Sequence, residues 1–325
     1  ISGTYTLPTA DGSANQVLTT NGSGAVSFAD AGGGADLYAS NESSPAAQPS
    51  ATGANAIAIG QQSTASGADA VAIGIDSEAT NTESHAFGTH AISAGVRSVA
   101  LAYSHAGGTN SFAVGIGTTS TSLGATGSNS IAIGNGAKST ASYSLAIGKD
   151  AIASGAKSLV VGGEANTASA VLGTVVGGAN NTASNNYAFV AGSTNTGSGY
   201  ACTVTGRSNT ASYFYTSAYG FESKATIWGQ TARAAGKFAA VGDAQGSTFI
   251  LRSDTTDATA EAMTTNNSTA GSTNQIVAAS DTCIMFSGTI VAMQNGAADQ
   301  GGWEIKGLLK NDGGTTTLVN SQVNS

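Results

Sequence analysis

Charge is scarce in this chain. Only 9% of its 325 residues are Asp, Glu, Lys or Arg, and the balance is −8. With 11 basic residues and no basic cluster, the composition argues against nucleic acid or anionic lipid as a main partner, because nothing neutralises their phosphates. Cysteine stops at Cys202 and Cys283, without CxxC or Cys/His metal spacing, so neither a disulfide framework nor a metal site is expected. No apolar run approaches the roughly 18 residues of a membrane span, so membrane insertion is not expected. Low charge with 40% hydrophobic residues also departs from the signature of disorder.

Catalytic motifs are missing too. There is no GxSxG, no phosphate-binding Walker pattern and no calcium-binding glycine repeat. The 19 acids are scattered, with no pair placed for glycosidic chemistry. Asp76, Glu78 and Glu83 read as one turn and strand of a solvated coil. We therefore expect no catalytic residue, no metal and no cofactor. Of the histidines His85, His90 and His105, His85 occupies a position expected to be inward, packed and hydrogen-bonded.

What the chain has is repetition. NAIAIG (55–60), DAVAIG (69–74), ESHAFG (83–88), NSIAIG (129–134), YSLAIG (143–148) and KSLVVG (157–162) each close on a glycine. Ala102 and Gly115 fill the gap, and Gly177, Gly192, Gly206, Gly220 and Gly242 continue the series to thirteen anchors, mostly 13–15 residues apart. A period held this long means stacked coils, each contacting mainly its neighbours. Fourteen residues suit two short strands and two tight turns, which is a two-sided β-roll.

The columns of the repeat suggest which way side chains point. Counting from each anchor, positions −3 and −1 are large (Ile57 and Ile59, Ile131 and Ile133), while +3 and +5 are small (Ser63 and Ala65, Ala137 and Ser139). This reads as a bulky wall facing a small wall across a thin, filled interior. The −2 column then faces outward, yet it is apolar: Ala58, Ala72, Ala86, Ala100, Ala113, Ala132 and Ala146, then Val160, Val175, Val190 and Val204. A strand apolar on both faces is buried on both, so this column predicts a homo-oligomeric contact. Cys202, in the small −4 column, is placed at the same contact. The +4 column (Thr64, Glu78, Ile92, Lys138, Ile152, Asn166) gives no threonine ladder of the kind ice binding needs.

The N/S-S-x-A-I-G repeat, with A-x-A-x-G between coils, resembles the left-handed parallel β-roll of trimeric autotransporter adhesin heads, a repeat also found in bacteriophage tail fibres. The resemblance covers about 54–245 and implies an all-β homotrimer of rolls about a threefold axis. The chain departs from it at Ala102, at the 115–134 insertion and after Gly206, where −3 and −1 become Thr203 and Thr205, then Ser217 and Tyr219.

The flanks divide the rest. Residues 1–36 are expected to form an N-terminal β connector intertwined with partner chains, with a hairpin signal at Asn21-Gly22. Residues 37–53, with two of the three prolines, read as a linker ahead of a 54–246 shaft. In 247–325 the strings TFILR, QIVAA, CIMFSGTIVAM, GGWEIKGLLK and TTTLV suggest a small antiparallel β domain, and VNSQVNS reads as that domain cut short. The strings TLPTADGSANQVLTTNGSGAVSFAD and FSGTIVA…WEIKG also resemble segments of phage fibres.

These readings point to a non-enzymatic tail fibre of a virion. The resemblance implies attachment to other tail or baseplate proteins on the N-terminal side, and a host glycan or outer-membrane receptor on the C-terminal side. The alternatives are a bacterial trimeric surface adhesin, then a polysaccharide-degrading tailspike. Aromatic residues gather after about 207, and Tyr213, Phe214, Tyr215, Trp228 and Trp303 are the candidate receptor contacts. A rival reading of the same cluster is a plug for the end of the roll.

Overall fold

The computed structural model describes residues 6–10, 12–13, 16–30, 48–115, 117, 122–296 and 299–324. The 31–47 stretch and parts of the 1–15 and 115–134 segments therefore lie outside the described residues, and most of the expected linker with them. Gln16–Thr20 and Val26–Asp30 form the N-terminal antiparallel hairpin. Asn21 shapes its turn, the side-chain Oδ1 accepting the N–H groups of Ser23 and Ala25 at 2.9 and 3.2 Å.

The repeats build two parallel sheets back to back. One runs from Ile57–Ile59 to Thr231–Ala235 and ends in an antiparallel strand, Gln245–Thr248. The other runs from Ser50–Ala51 to Lys224–Ala225 in two-residue strands. Each strand pairs with its counterpart one coil away, as Ala58 with Ala72 and Ala65 with Ala79. About thirteen coils at ~4.8 Å each give a shaft of about 60 Å. Ala234, not Gly242, stands opposite Gly220, so the last anchor keeps the period.

Both corners of each coil need a left-handed backbone. Asn55, Asp69, Asn110 and Asn129 take φ between 54 and 56° at one corner, and Gln62 and Asp76 take 59 and 53° at the other. Short polar side chains tolerate this region best. The anchor glycines answer a different demand, close approach. A Cβ on Gly134, at φ 117°, would stand 2.6 Å from the carbonyl oxygen of Gly148.

The interior reverses the expected orientation of the columns. Ala72, Ala86, Ala100, Ala113, Ala132, Ala146, Val160, Val175, Val190 and Val204 are fully buried within the single chain, and Ala58 packs half-buried against them. The −2 column is therefore core and cannot be the subunit contact. Cys202 is buried in the same core, so it also cannot meet its copies at an interface. The expected small columns do face inward, Ser63 and Ala65 among them. What fits is set by volume: the largest fully buried side chains are Val and Asn, with none of the Ile, Leu or Phe that the chain uses freely elsewhere. Those point out. Ile57 is 49% exposed and Ile131 37%, and His85 lies in the same outward column, its ring stacked 6.2 Å from Phe87.

From Gly162 onward the anchor corner is rebuilt. In earlier coils the N–H at +3 closes its own turn, as Ala137 N–H does on Gly134 O at 3.1 Å. In later coils Asn166, Asn181, Asn195 and Asn209 stack fully buried. Each Oδ1 accepts the backbone N–H of the next rung, at 3.0, 3.1 and 2.9 Å, and Ser223 N–H closes the series on Asn209 at 2.8 Å. Their Nδ2 groups donate to corner carbonyls, Asn195 to Ala191 and Gly206 at 2.8 and 2.7 Å. The extra glycine at 163 moves the register by one residue, so Thr167, not Asn166, pairs with Ile152. An outward threonine column through Thr182, Thr196 and Thr210 follows, with Ser184, Ser198 and Ser212 two residues on where a Thr-x-Thr ladder would need threonine. Replacing Asn195 with Ala strands the buried Asn209 N–H and two carbonyls, at about 1–3 kcal/mol per stranded group. Thermal unfolding should show a clear loss of stability for Asn195→Ala and little for the half-buried Ser193→Ala, whose hydroxyl meets only Thr194 at the surface.

After the roll, Thr282–Met293, Gln300–Asp312 and Thr315–Asn324 form an antiparallel three-stranded sheet. TFILR and QIVAA do not form strands of this sheet, although Thr248 ends the strand that caps the roll. Among the described residues there is no helix.

Candidate functional site

Two features of the roll's outside stand apart from ordinary surface. The first is the outward face of the longer strands, where −3 and −1 are apolar through the first eight coils, from Ile57 and Ile59 to Leu159 and Val161, broken only by His85. It turns polar at Thr203, Thr205 and Ser217. A contiguous apolar face of this kind is uncommon on a free surface.

The second is a cluster of rings at the corner preceding the longer strands. Tyr200, Phe214 and Trp228 lie one coil apart and stack along the shaft, with centroids 5.7 and 4.9 Å apart and the latter pair within 13° of parallel. Tyr187 and Tyr215 stand edge-on to this stack, 5.3 and 5.8 Å from Tyr200. Tyr213 joins Phe214 at 5.3 Å. The backbone fixes the rings once per coil: Tyr215 N–H donates to Tyr200 O at 2.9 Å, and Gly229 N–H to Phe214 O at 3.0 Å. Trp228 N–H is held by Thr273 O at 2.8 Å.

Four of the five candidate contacts, Tyr213, Phe214, Tyr215 and Trp228, thus come together. Trp303 does not, lying in the C-terminal sheet opposite Ile290. Tyr187 and Tyr200 were missed by sequence reasoning. The signal was available, since Tyr200, Phe214 and Trp228 recur every 14 residues and Tyr187 and Tyr215 both sit five before an anchor.

Titratable groups are few. Burial pushes the Cys202 thiol up, against a weaker hydrogen bond from the Gly199 backbone, so the reactive thiolate is disfavoured. Burial pulls the His105 imidazole down, partly opposed by a hydrogen bond to the Leu123 backbone. Asp243 is held below the usual carboxylate range by the N–H groups of Ala240, Ala239 and Phe238. Asp76 sits 3.6 Å from His90 Nδ1 on the surface. Among the described residues, no group of three or more His, Cys, Asp or Glu could hold a metal ion, and no helix is long and apolar enough to cross a membrane.

A family model described as the YadA head domain repeat matches residues 51–77, 125–151 and 139–165. Those stretches are similar to the β-roll repeats of trimeric autotransporter adhesin heads and mark an adhesin-like fibre. The matched coils are those with the turn-closed corner. The rings and the asparagine ladder lie in coils outside the matched residues. No curated protein matches the chain.

Proposed function

We propose that the chain is the shaft and distal part of a non-enzymatic attachment fibre in which three copies join through the outward apolar face of the longer strands. The outward, half-buried −3 and −1 columns carry this reading. They give a flat strip some eight coils long, and burying what is still exposed of each isoleucine or leucine on it, half or less, contributes up to about 1.5 kcal/mol. The similarity to adhesin-head repeats supports three chains rather than two.

A thin interior filled by Ala, Ser, Val and Asn supports a passive role. The resolved carboxyl shifts, at Asp243 and Asp257, are downward, opposite to what a general acid needs. Among settings we favour a phage tail fibre, on the flanking strings at 6–30 and 286–307 that resemble such fibres, with the N-terminal side toward the particle. A bacterial surface adhesin is the second reading, favoured by the matched head repeats. Immunogold labelling with an antibody to the roll decides between them. Label on projecting tail fibres of virions supports the first, and label on the cell envelope the second. Label confined to the cell interior would overturn both.

A further inference from the structure

We infer that the corner around Tyr187 and Tyr215 binds a neutral, linear pyranose glycan lying along the shaft. The inference rests on the attachment-fibre reading and names the ligand class for one surface of it.

The clustering of exposed rings carries the argument. Tyr187 and Tyr215 take left-handed backbone, φ 60 and 57°, at a corner where four coils place Asn or Asp and others Glu83, Arg97, Tyr143, Lys157 and Leu172, but only these two stand against an aromatic stack. A bulky ring is the costlier choice there, and neither ring is recovered by burial, since they are 51% and 53% exposed. The stack of Tyr200, Phe214 and Trp228 explains itself, because it packs coil on coil. The two flanking tyrosines pack edge-on against that stack and still leave about half of each ring at the surface.

Their placement suits a sugar chain. They are two coils apart, about 10 Å along the axis, comparable with one disaccharide of an extended glycan. Ala201 occupies the same corner in the coil between them, and the Tyr200 ring lies between the two, 5.3 Å from Tyr187 and 5.8 Å from Tyr215, so the rings form one continuous run. Aromatic faces take the C–H faces of pyranoses, and Ser198 and Ser212 offer hydroxyls for the sugar's own, while Asn185 and Asn186 are held in the turns by Ser198 O and Val171 N–H. Charge is missing: turns 184–188, 198–202, 212–216 and 226–230 contain no Asp, Glu, Lys or Arg, whereas the earlier corners carry Asp69, Glu83, Arg97 and Lys157. A protein partner would be met by mixed charge at the rim and an acidic glycan by cations. A neutral chain needs neither.

The test uses the full chain with Trp303→Phe, which leaves Trp228, 5.4 Å from Tyr215, as the sole indole. Probes are neutral hexaoses: β-1,4-, β-1,3- and α-1,4-linked glucose, and β-1,4-linked N-acetylglucosamine. We expect saturable change in Trp228 emission with at least one of them. Tyr187→Ala and Tyr215→Ala should each weaken it about tenfold or more, with the oligomer mass unchanged and the roll still folded. No saturable change with any hexaose at millimolar concentration overturns the inference. So does binding that both variants retain, or loss of oligomer mass in the variants, which would place a partner chain on this corner. Labelled fibres that adhere to cells equally well with both substitutions would sink the glycan site while leaving the fibre reading intact.

Discussion

Replacing Ala132 with arginine should unfold the roll itself, not merely separate its copies. Ala132 has no solvent exposure within one chain and packs between Ala113 and Ala146 of the neighbouring coils. A guanidinium there has no acidic partner and no room. An uncompensated buried charge costs roughly 3–5 kcal/mol, and the overpacking adds about 1–3 kcal/mol. Together these approach the whole stability of a typical domain, about 5–15 kcal/mol. Because each coil leans on its neighbours, the damage should spread along the stack. Circular dichroism of Ala132→Arg should lose the β signal or show a steep fall in melting temperature. Ala132→Ser should remain folded, since Ser139 and Ser144 already sit buried in this interior. A folded but monomeric Ala132→Arg would return this column to the surface and reverse the account.

Replacing Ile131 with glutamate, one residue away, should do the opposite. Ile131 points out of the roll and is 37% exposed, so a carboxylate there leaves the chain's own interior untouched. In the proposed trimer, three carboxylates would enter an apolar contact at several kcal/mol each. That outweighs the roughly 0.5–1 kcal/mol contributed by burying the exposed part of each Ile131. Light scattering should fall from three times the 31.5 kDa chain mass toward that of the free chain. The strand signal at low temperature should decline far less than for Ala132→Arg.

This pair of residues shows how much could be read beforehand. Period, strand pairing and the two-sided roll were legible, because glycine and alternating side chains fix them whatever the orientation. Which alternate set faces inward was not. Ile131 and Ile133 are more hydrophobic than Ala132, and hydrophobicity alone assigns them to the core. Space decides otherwise. Two-residue strands joined by tight corners leave an interior that Ala, Ser, Val and Asn fill, and the large residues are left for a surface that another chain can cover. The same reasoning moved His85 outward and Cys202 inward.

The candidate site was half legible. Aromatic clustering after 207 was visible in composition, and Tyr213, Phe214, Tyr215 and Trp228 do meet. Trp303 was grouped with them only by residue type, and the strand pairing of Gln300–Asp312 takes it elsewhere. Tyr187 and Tyr200 join because stacking brings residues 13 or 14 apart into contact, a relation invisible to a window that scans neighbours. The asparagine ladder was hidden for a related reason, since one extra glycine at 163 moved its register by a residue.

The central claim is that the long strands turn residues 131 and 133 toward partner chains and residue 132 into the chain's own core. Single cysteines test it, placed at 131, 132 or 133 in chains carrying Cys202→Ser and Cys283→Ser, oxidised mildly and run on non-reducing gels. The account predicts covalent dimers from the outward positions, Ile131→Cys or Ile133→Cys, and none from Ala132→Cys. Dimers from Ala132→Cys, with none from its two neighbours, would contradict it.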